Sequence, residues 1–176
     1  NKFDIIYAGA QKNMGAAGVN LVVVNKNVLG KAERPIPTIL DYRNHINEGS
    51  MLNTPPVFAI YVVLLTLRWL KAQGGVAAIE KRNEEKAALF YETLDSLPVF
   101  KGPVAKDSRS KMNAVFVMDQ PALEKEFLDL CKAAGMIGVK GHRSVGGFRV
   151  SMYNALTIES VKVLTDLMKD FAIRKG

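Results

Sequence analysis

The sequence predicts an α/β chain in two parts, the end of a large domain with a mainly parallel sheet and a small α+β domain. Two short runs, Asp4–Ala8 and Val19–Val24, are rich in consecutive apolar residues, which is typical of strands buried on both faces in a parallel sheet. A Gly-Gly pair that begins at Gly74 separates an apolar helix from a highly charged one. We therefore expect the large-domain part over residues 1–73 and the small domain over residues 74–176.

The first part should close with a helix that begins at Thr54, with this threonine as N-cap and a proline at the first helical position. The helix should run to about Ala72 and end at the two glycines. Because a single threonine interrupts the apolar residues from 57 to 67, we expect the helix to be buried. Before it, residues 30–49 hold two prolines and two asparagines and predict an irregular surface excursion.

The second part begins with a helix over residues 76–96. Its core-facing stripe is predicted to consist of Ile79, Leu89, Leu94 and Leu97. Its solvated face is predicted to consist of Glu80, Lys81, Arg82, Glu84, Glu85 and Lys86. The rest of the sequence predicts an α+β pattern, with strands over 112–118, 136–140 and 147–153, an amphipathic helix over 121–134 and a closing helix over 158–173.

Composition excludes several classes of protein. With 176 residues, 48% of them hydrophobic and 23% charged, the chain has the makeup of a folded domain. The single cysteine, Cys131, excludes an intrachain disulfide and is expected to be a small buried apolar residue. His45 and His142 are too far apart in sequence to suggest a metal site, and no apolar run reaches the roughly 20 residues of a membrane helix. No secretory signal is recognised at the start, so we expect a cytoplasmic protein with no metal and no membrane contact.

The net charge of +7 raises the possibility of a nucleic-acid partner. The 24 lysines and arginines are scattered, however, and no run of four or five forms a basic patch interleaved with aromatic residues. This pattern favours a solvated basic surface, or the attraction of small anions such as phosphates and carboxylates. A non-catalytic module that binds RNA stays open as an alternative.

Lys12 is the first candidate for chemistry, because it lies in a loop of small residues between the two apolar runs. Desolvation there would favour the neutral amine, which is the nucleophile needed for a Schiff base. Enzymes that use pyridoxal phosphate need such a lysine. The alternative is an ordinary lysine that extends from a loop into solvent.

Two further segments could bind anions. Asn53 and Thr54 precede the apolar helix, and a helix N-terminus binds phosphate readily, although helix capping alone would also explain them. The segment from Gly141 to Arg149 holds two arginines, a histidine and three glycines in nine residues. Arginine binds carboxylate and phosphate through paired hydrogen bonds, and a plain basic turn before a strand is the alternative.

Together these motifs resemble the phosphoserine aminotransferase family, which belongs to the class-V aminotransferases of pyridoxal-phosphate fold type I. The resemblance covers essentially the whole chain, in order, and no single motif would suffice for it. The matching runs are Ala8-Gly9-Ala10-Gln11-Lys12-Asn13, Asn53-Thr54-Pro55-Pro56, Lys140-Gly141-His142-Arg143, Val145-Gly146-Gly147 with Arg149, and Ser151-Met152-Tyr153-Asn154-Ala155.

The resemblance implies a role in cofactor binding for each residue of the first two motifs. Lys12 would form the Schiff base with pyridoxal 5'-phosphate and shuttle the proton during catalysis. Gln11 would help to hold the cofactor phosphate. Asn53 and Thr54 would reach the cofactor phosphate of the neighbouring subunit, which implies a homodimer.

The resemblance also implies the substrates. His142 and Arg143 would bind the substrate phosphate, and Arg149 the substrate α-carboxylate. Glutamate would give its amino group to 3-phosphonooxypyruvate, which yields O-phosphoserine and 2-oxoglutarate in serine biosynthesis. A related step of pyridoxine biosynthesis on a phosphorylated hydroxythreonine stays open, as does a different fold-type-I transaminase that acts on alanine or serine with glyoxylate.

The sequence departs from the family pattern in length. Family members carry a large segment before the lysine, with a glycine-rich phosphate loop, an aromatic residue on the cofactor ring and an aspartate at the ring nitrogen, and none of these is identifiable here. We therefore expect this chain to be the C-terminal half of such an enzyme and to be inactive by itself. It should also expose part of a parallel sheet that is normally covered.

Overall fold

The computed structural model describes residues 2–144 and 146–175. The chain divides into two compact units, of which the first ends at Ala72 and the second begins at Gln73. Among the described residues no single helix is long and apolar enough to cross a membrane. The helices Val57–Ala72 and Gly75–Ser96 reach that length and composition only when they are counted together.

The first unit begins with an antiparallel hairpin of β1 (Ile5–Gly9) and β2 (Asn20–Val24), in which Ile5 lies opposite Val24. The expectation of buried strands of the parallel type is wrong in two respects. The two strands pair with each other antiparallel, because the short connection over residues 10–19 cannot form the crossover of a dozen or more residues that a parallel pair requires. Most of their side chains are also exposed in this chain.

The excursion before the apolar helix is more regular than predicted. It contains a 3₁₀ turn over Thr38–Leu40 and the short helix α1 (Tyr42–Asn47). The Asp41 side chain caps α1 by accepting a hydrogen bond from the backbone N–H of Arg43 at 3.0 Å. The Arg43 guanidinium also donates to this carboxylate and lowers the pKa of Asp41.

Helix α2 (Val57–Ala72) begins two residues after Pro55, its predicted first helical residue, and Thr54 is not its N-cap. The first bond of the helical ladder runs from the N–H of Ile60 to the carbonyl of Pro56, at 3.0 Å. A residue before a proline is kept out of the α region by a steric clash, so Thr54 and Pro55 both stay outside the helix. The predicted burial is also wrong for this chain, because Ala59 is the one residue of α2 that is buried.

The second unit is a three-stranded antiparallel sheet with its helices packed around a phenylalanine-rich core. The strand order is β3 (Phe100–Lys101), β4 (Asn113–Met118) and β5 (Phe148–Ser151). The helices are α3 (Gly75–Ser96), α4 (Glu124–Ala133) and α5 (Ile158–Lys175). The core aromatic rings, which meet mainly edge to face, belong to Phe90, Phe100, Phe116, Phe127, Phe148 and Phe171.

Most of the predicted elements of the second unit are confirmed. The helices over 76–96 and 158–173, the strands over 112–118 and 147–153, and the buried position of Cys131 agree with the structure. Burial raises the pKa of the Cys131 thiol to about 11. The helix over 121–134 starts with a 3₁₀ turn, and the strand over 136–140 is wrong, since this segment makes a single bridge from Lys140 to Phe148. The short strand β3 was not predicted.

Lys86 is buried, which corrects its placement on the solvated face of α3. The side chain is 2% exposed, and its ammonium group donates to the carbonyls of Met152, Tyr153 and Leu156 at 3.1, 2.8 and 3.0 Å. Helical spacing puts Lys86 on the same side as Ile79 and Phe90, and this side packs on the core. Burial lowers the pKa of Lys86.

Replacement of Asp95 by asparagine should remove an acid-sensitive part of the stability of the second unit. Arg109 donates to both carboxylate oxygens of Asp95, at 2.8 and 2.9 Å, and these hydrogen bonds lower the pKa of Asp95 from 3.8 to about 2. A carboxylate whose pKa falls on folding stabilises the folded state at pH values above its unfolded pKa. This contribution is lost as the pH falls through the folded pKa. Urea unfolding should therefore show a stability difference between Asp95 and Asp95→Asn that is full above about pH 4 and shrinks towards about pH 2.

The matched control is Asp170→Asn, because Asp170 is exposed on α5. We expect this control to lie within about 0.5 kcal/mol of the parent chain. A difference between Asp95 and Asp95→Asn that stays constant across this pH range would contradict the prediction.

Candidate functional site

Lys12 lies in the turn that connects β1 to β2. The base of the turn is closed by a hydrogen bond from the N–H of Ala10 to the carbonyl of Val19, at 2.9 Å. A second bond, from the N–H of Lys12 to the carbonyl of Ala10, tightens the backbone directly before the lysine. Ala10 is 1% exposed, so the start of the turn is buried while Lys12 itself is exposed.

The loop that carries Lys12 packs closely on α2. A Cβ atom added at Gly15, where φ is 150°, would lie 2.9 to 3.1 Å from the side chain and backbone of Val63. The next contact is at Gly18, where a Cβ atom would lie 3.8 Å from that of Ala59. The absence of a side chain at Gly15 therefore allows the loop to approach the helix backbone. The fold thus brings the lysine loop onto the helix that follows Asn53 and Thr54.

The expectation of a desolvated lysine is wrong for this chain. Lys12 and Gln11 are exposed, because the strands on either side of the turn are themselves largely exposed. The Gln11 side chain folds back over the end of β1, where a Cβ atom at Gly9 would collide with its amide oxygen. The fold of this unit therefore sets the position of the turn and leaves Lys12 exposed.

Asn53 and Thr54 are exposed and lie just before the start of α2. The Asn53 amide donates to the carbonyl of Thr54 at 3.3 Å. The helix dipole and the side-chain hydroxyl and amide groups make this a segment with donors suited to a phosphate group. Both candidate cofactor motifs of the first unit are therefore associated with one helix.

The basic loop of the second unit is closed at its base. The N–H of Gly141 donates to the carbonyl of Gly147, and the N–H of Gly146 donates to the carbonyl of His142, both at 2.8 Å. Gly147 is buried with a φ of 59°, and a Cβ atom there would lie 2.7 Å from the carbonyl oxygen of Phe116. Close packing on β4 therefore requires glycine at this position.

His142, Arg143 and Ser144 lie at the exposed end of this loop. The His142 ring contacts Ser144 through Nδ1, which lies 2.7 Å from the serine hydroxyl and 3.3 Å from its backbone nitrogen. Val145, which belongs to the predicted Val-Gly-Gly motif, lies outside the described residues.

Arg149 lies on β5, directly opposite Val115 of β4. Its neighbours Phe148 and Val150 are buried, so strand alternation places the exposed Arg149 on the other face of the sheet. Together with Ile137 and Ser151, it lines a groove of about 520 Å³. A guanidinium group in a groove with apolar walls is suited to a carboxylate ligand.

The side chains of His142, Arg143 and Arg149 are available to bind anions. Among the residues that the structure describes, no carboxylate forms an ion pair with His142, Arg143 or Arg149. Arg109, by contrast, is occupied by Asp95 and also lies over the ring of Tyr91, 4.8 Å from its centroid. The pairing with Asp95 therefore marks Arg109 as a structural residue.

Sequence reasoning did not identify several polar residues around these groups. Asn113 lies opposite Ser151 on the same face of the sheet as Arg149, and its side chain binds both Ser151 and Tyr153, at 3.1 Å. Ser144, two residues after the histidine, was also not singled out. The serine immediately after the His-Arg pair was a usable signal, whereas the contact from Asn113 spans 40 residues and has no local pattern.

Comparison with known proteins agrees with these motifs. The model of the class-V aminotransferase family matches residues 1–164. The chain is 58% identical over 169 residues to the phosphoserine aminotransferase of Flavobacterium johnsoniae, which is 96% of this chain and 48% of that protein.

Solved structures give the same result. A phosphoserine aminotransferase studied for radiation damage of its Schiff base matches with a TM-score of 0.92 and 44% identity, over 98% of this chain and 48% of that one. The PLP-bound phosphoserine aminotransferase of Trichomonas vaginalis matches with a TM-score of 0.88 and 38% identity, over 94% of this chain and 48% of that one. These matches confirm the resemblance and the α/β fold class predicted from the sequence.

Proposed function

The chain belongs to the class-V aminotransferase family, and from this membership we propose that the protein acts as a pyridoxal-phosphate-dependent phosphoserine aminotransferase. It transfers the amino group of glutamate to 3-phosphonooxypyruvate and releases O-phosphoserine and 2-oxoglutarate. The chain spans about half the length of the curated relatives it matches, so the activity is proposed for an enzyme of their full length.

One observation carries the choice of substrate. The second unit presents two distinct cationic positions, a loop with His142 and Arg143 and a strand with Arg149, and none of the three forms an ion pair within the described part of the chain. A substrate with both a phosphate and a carboxylate needs two such positions. Paired donors of arginine suit both kinds of anion.

The residues of the first unit fit the cofactor. Lys12 offers an exposed primary amine, and Gln11, Asn53 and Thr54 offer amide and hydroxyl groups for a phosphate. Pyridoxal phosphate, when bound, supplies an aldehyde carbon and an electron sink. In the proposed enzyme Lys12 Nζ would hold the cofactor covalently and, once released from it, would move the proton at the α-carbon of the substrate.

Each of the three substrate-binding residues has a defined task. His142 and Arg143 bind the phosphate of 3-phosphonooxypyruvate, and Arg149 binds the α-carboxylate of each substrate. These contacts orient the α-carbon for proton transfer, because an anion held at both ends has little rotational freedom. Arg149 lies on a strand rather than a loop, which gives the carboxylate a more rigid anchor.

We also propose a homodimer in which Asn53 and Thr54 contact the cofactor phosphate of the neighbouring subunit. Their exposure at the start of α2 supports this role. The place in serine biosynthesis, a second reaction in pyridoxine biosynthesis and the cytoplasmic location stay predictions. The family membership and the named relatives do not favour the RNA-binding alternative.

Replacement of His142 or Arg143 by glutamine should selectively weaken the binding of the phosphorylated substrate. We expect the KM for 3-phosphonooxypyruvate to rise about 10- to 100-fold, because each variant loses a hydrogen bond to a charged group. Single-turnover kinetics with glutamate should change less than about threefold, since glutamate has no phosphate. Arg149→Gln, in contrast, should weaken the binding of both substrates.

The control for these variants is Arg174→Gln, since Arg174 is exposed near the end of α5. It should leave both half-reactions unchanged. If the His142 and Arg143 variants lost as much activity with glutamate as with 3-phosphonooxypyruvate, a phosphorylated substrate would be ruled out. A transaminase of alanine or serine with glyoxylate would then be the better assignment.

A further inference from the structure

The side chain of Ser144 is placed to control the orientation of the His142 ring. His142 Nδ1 lies 2.7 Å from the Ser144 hydroxyl oxygen and 3.3 Å from the Ser144 backbone nitrogen. Both contacts come from a residue only two positions away, so they form within the loop and need no other element.

These contacts determine which ring nitrogen carries the proton in the neutral histidine. A backbone N–H can only donate, so Nδ1 must be the acceptor of the bond from Ser144 N–H. The neutral ring then has its proton on Nε2. The hydroxyl of Ser144 can donate to the same nitrogen, which strengthens the preference for this tautomer.

The Nε2 atom is left for a ligand. The hydrogen bonds of the His142 ring within the described residues involve Nδ1 and not Nε2, and the side chain is exposed. The backbone on both sides of the histidine is already held, by the bond from Gly141 to Gly147 and by the bond from Gly146 to the His142 carbonyl. These bonds leave the side-chain torsions of His142 free, and the contacts with Ser144 restrict them.

We propose that Ser144 is a positioning residue for phosphate recognition, which holds His142 Nδ1 so that Nε2–H is directed to the substrate phosphate. This inference rests on the proposed function of His142. Ser144 itself does not contact the phosphate. Its contribution is to orient a donor before the substrate arrives, so that less rotational freedom is lost on binding.

The test uses three variants of the full-length holoenzyme, Ser144→Ala, Ser144→Thr and His142→Gln, and the double variant with Ser144→Ala and His142→Gln. We expect Ser144→Ala to raise the KM for 3-phosphonooxypyruvate about 3- to 10-fold, with kcat and the glutamate half-reaction unchanged. Ser144→Thr keeps the hydroxyl group and should restore the parent KM. In the His142→Gln background, Ser144→Ala should have no further effect, because the group that it positions is gone.

A spectroscopic measurement is independent of activity. Histidine labelled with ¹³C and ¹⁵N should show His142 with its proton on Nε2 in the parent enzyme, with the signal assigned by its loss in His142→Gln. Ser144→Ala keeps the backbone N–H that donates to Nδ1 and loses only the hydroxyl, so the signal should shift part of the way towards a mixture of both tautomers.

The outcomes separate this inference from the proposed function. A parent enzyme without phosphoserine aminotransferase activity would overturn the proposed function. Two results with an active parent enzyme would overturn only the role of Ser144. The first is an unchanged KM for 3-phosphonooxypyruvate in Ser144→Ala. The second is a KM that Ser144→Ala raises by the same factor in the parent enzyme and in the His142→Gln background. An Nδ1-protonated His142 in the parent enzyme would have the same consequence.

Discussion

Replacement of Lys12 by alanine should abolish transamination in the full-length enzyme, with kcat reduced by about 10⁴-fold or more. On the proposed function, the variant would lose both the amine that holds the cofactor covalently and the group that moves the proton at the substrate α-carbon. No neighbouring residue of the turn offers a second amine, since Gln11 and Asn13 carry amides. Glutamate turnover and the cofactor absorbance of the parent enzyme are the reference measurements.

The covalent role of Lys12 is tested by borohydride reduction in the presence of pyridoxal phosphate, followed by peptide mapping and intact mass. We expect a single reduced adduct on Lys12. The matched control is Lys26→Ala, since Lys26 is an exposed lysine just after β2 and should leave both labelling and activity unchanged. Labelling spread over many lysines, or a full-length enzyme in which Lys12 stays unlabelled, would contradict the aminotransferase proposal.

Replacement of Lys86 by methionine should destabilise the second unit by about 3 kcal/mol. Methionine keeps most of the apolar stem of lysine but leaves the carbonyls of Met152, Tyr153 and Leu156 without their donor. A buried polar group that loses its partner retains the full cost of desolvation. The effect should be concentrated in the turn between β5 and α5.

Urea unfolding measures the total loss of unfolding free energy in Lys86→Met. Amide hydrogen exchange over residues 152–157 measures the local loss of stability in the turn. The control is Lys81→Met on the same helix, where the lysine is exposed and the change should stay within about 0.5 kcal/mol. If Lys86→Met were as stable as Lys81→Met, the three carbonyl contacts would have no energetic importance.

Much of the second unit could be predicted from local pattern. The helix over 76–96 begins at a glycine pair and has an apolar stripe at helical spacing, and the apolar run over 112–118 indicates the strand β4. The candidate site was also predictable as a set of residues, because Lys12, Asn53 and His142 lie in short contiguous motifs.

Features that depend on distant residues were not predictable in this way. The charged residues around Lys86 on α3 predicted that it lies in solvent, whereas its hydrogen-bond partners lie 66 to 70 residues further along the chain.

Two local effects were also missed. The apolar runs of β1 and β2 indicated strands but not their direction, which the length of the connecting turn decides. The prolines after Thr54 moved the start of α2, a local effect that the capping pattern alone did not capture.

The sequence by itself determined the type of most elements, the motifs of the class-V aminotransferase family and the residues that carry the proposed chemistry. These properties are encoded in periodicity and in short runs such as Gln11-Lys12 and His142-Arg143. Only the tertiary structure decided the burial of Lys86 and the nitrogen of His142 that Ser144 holds. The physical reason is that burial and ring orientation depend on which atoms meet in space, and this is set by close packing and by the need to satisfy buried polar groups.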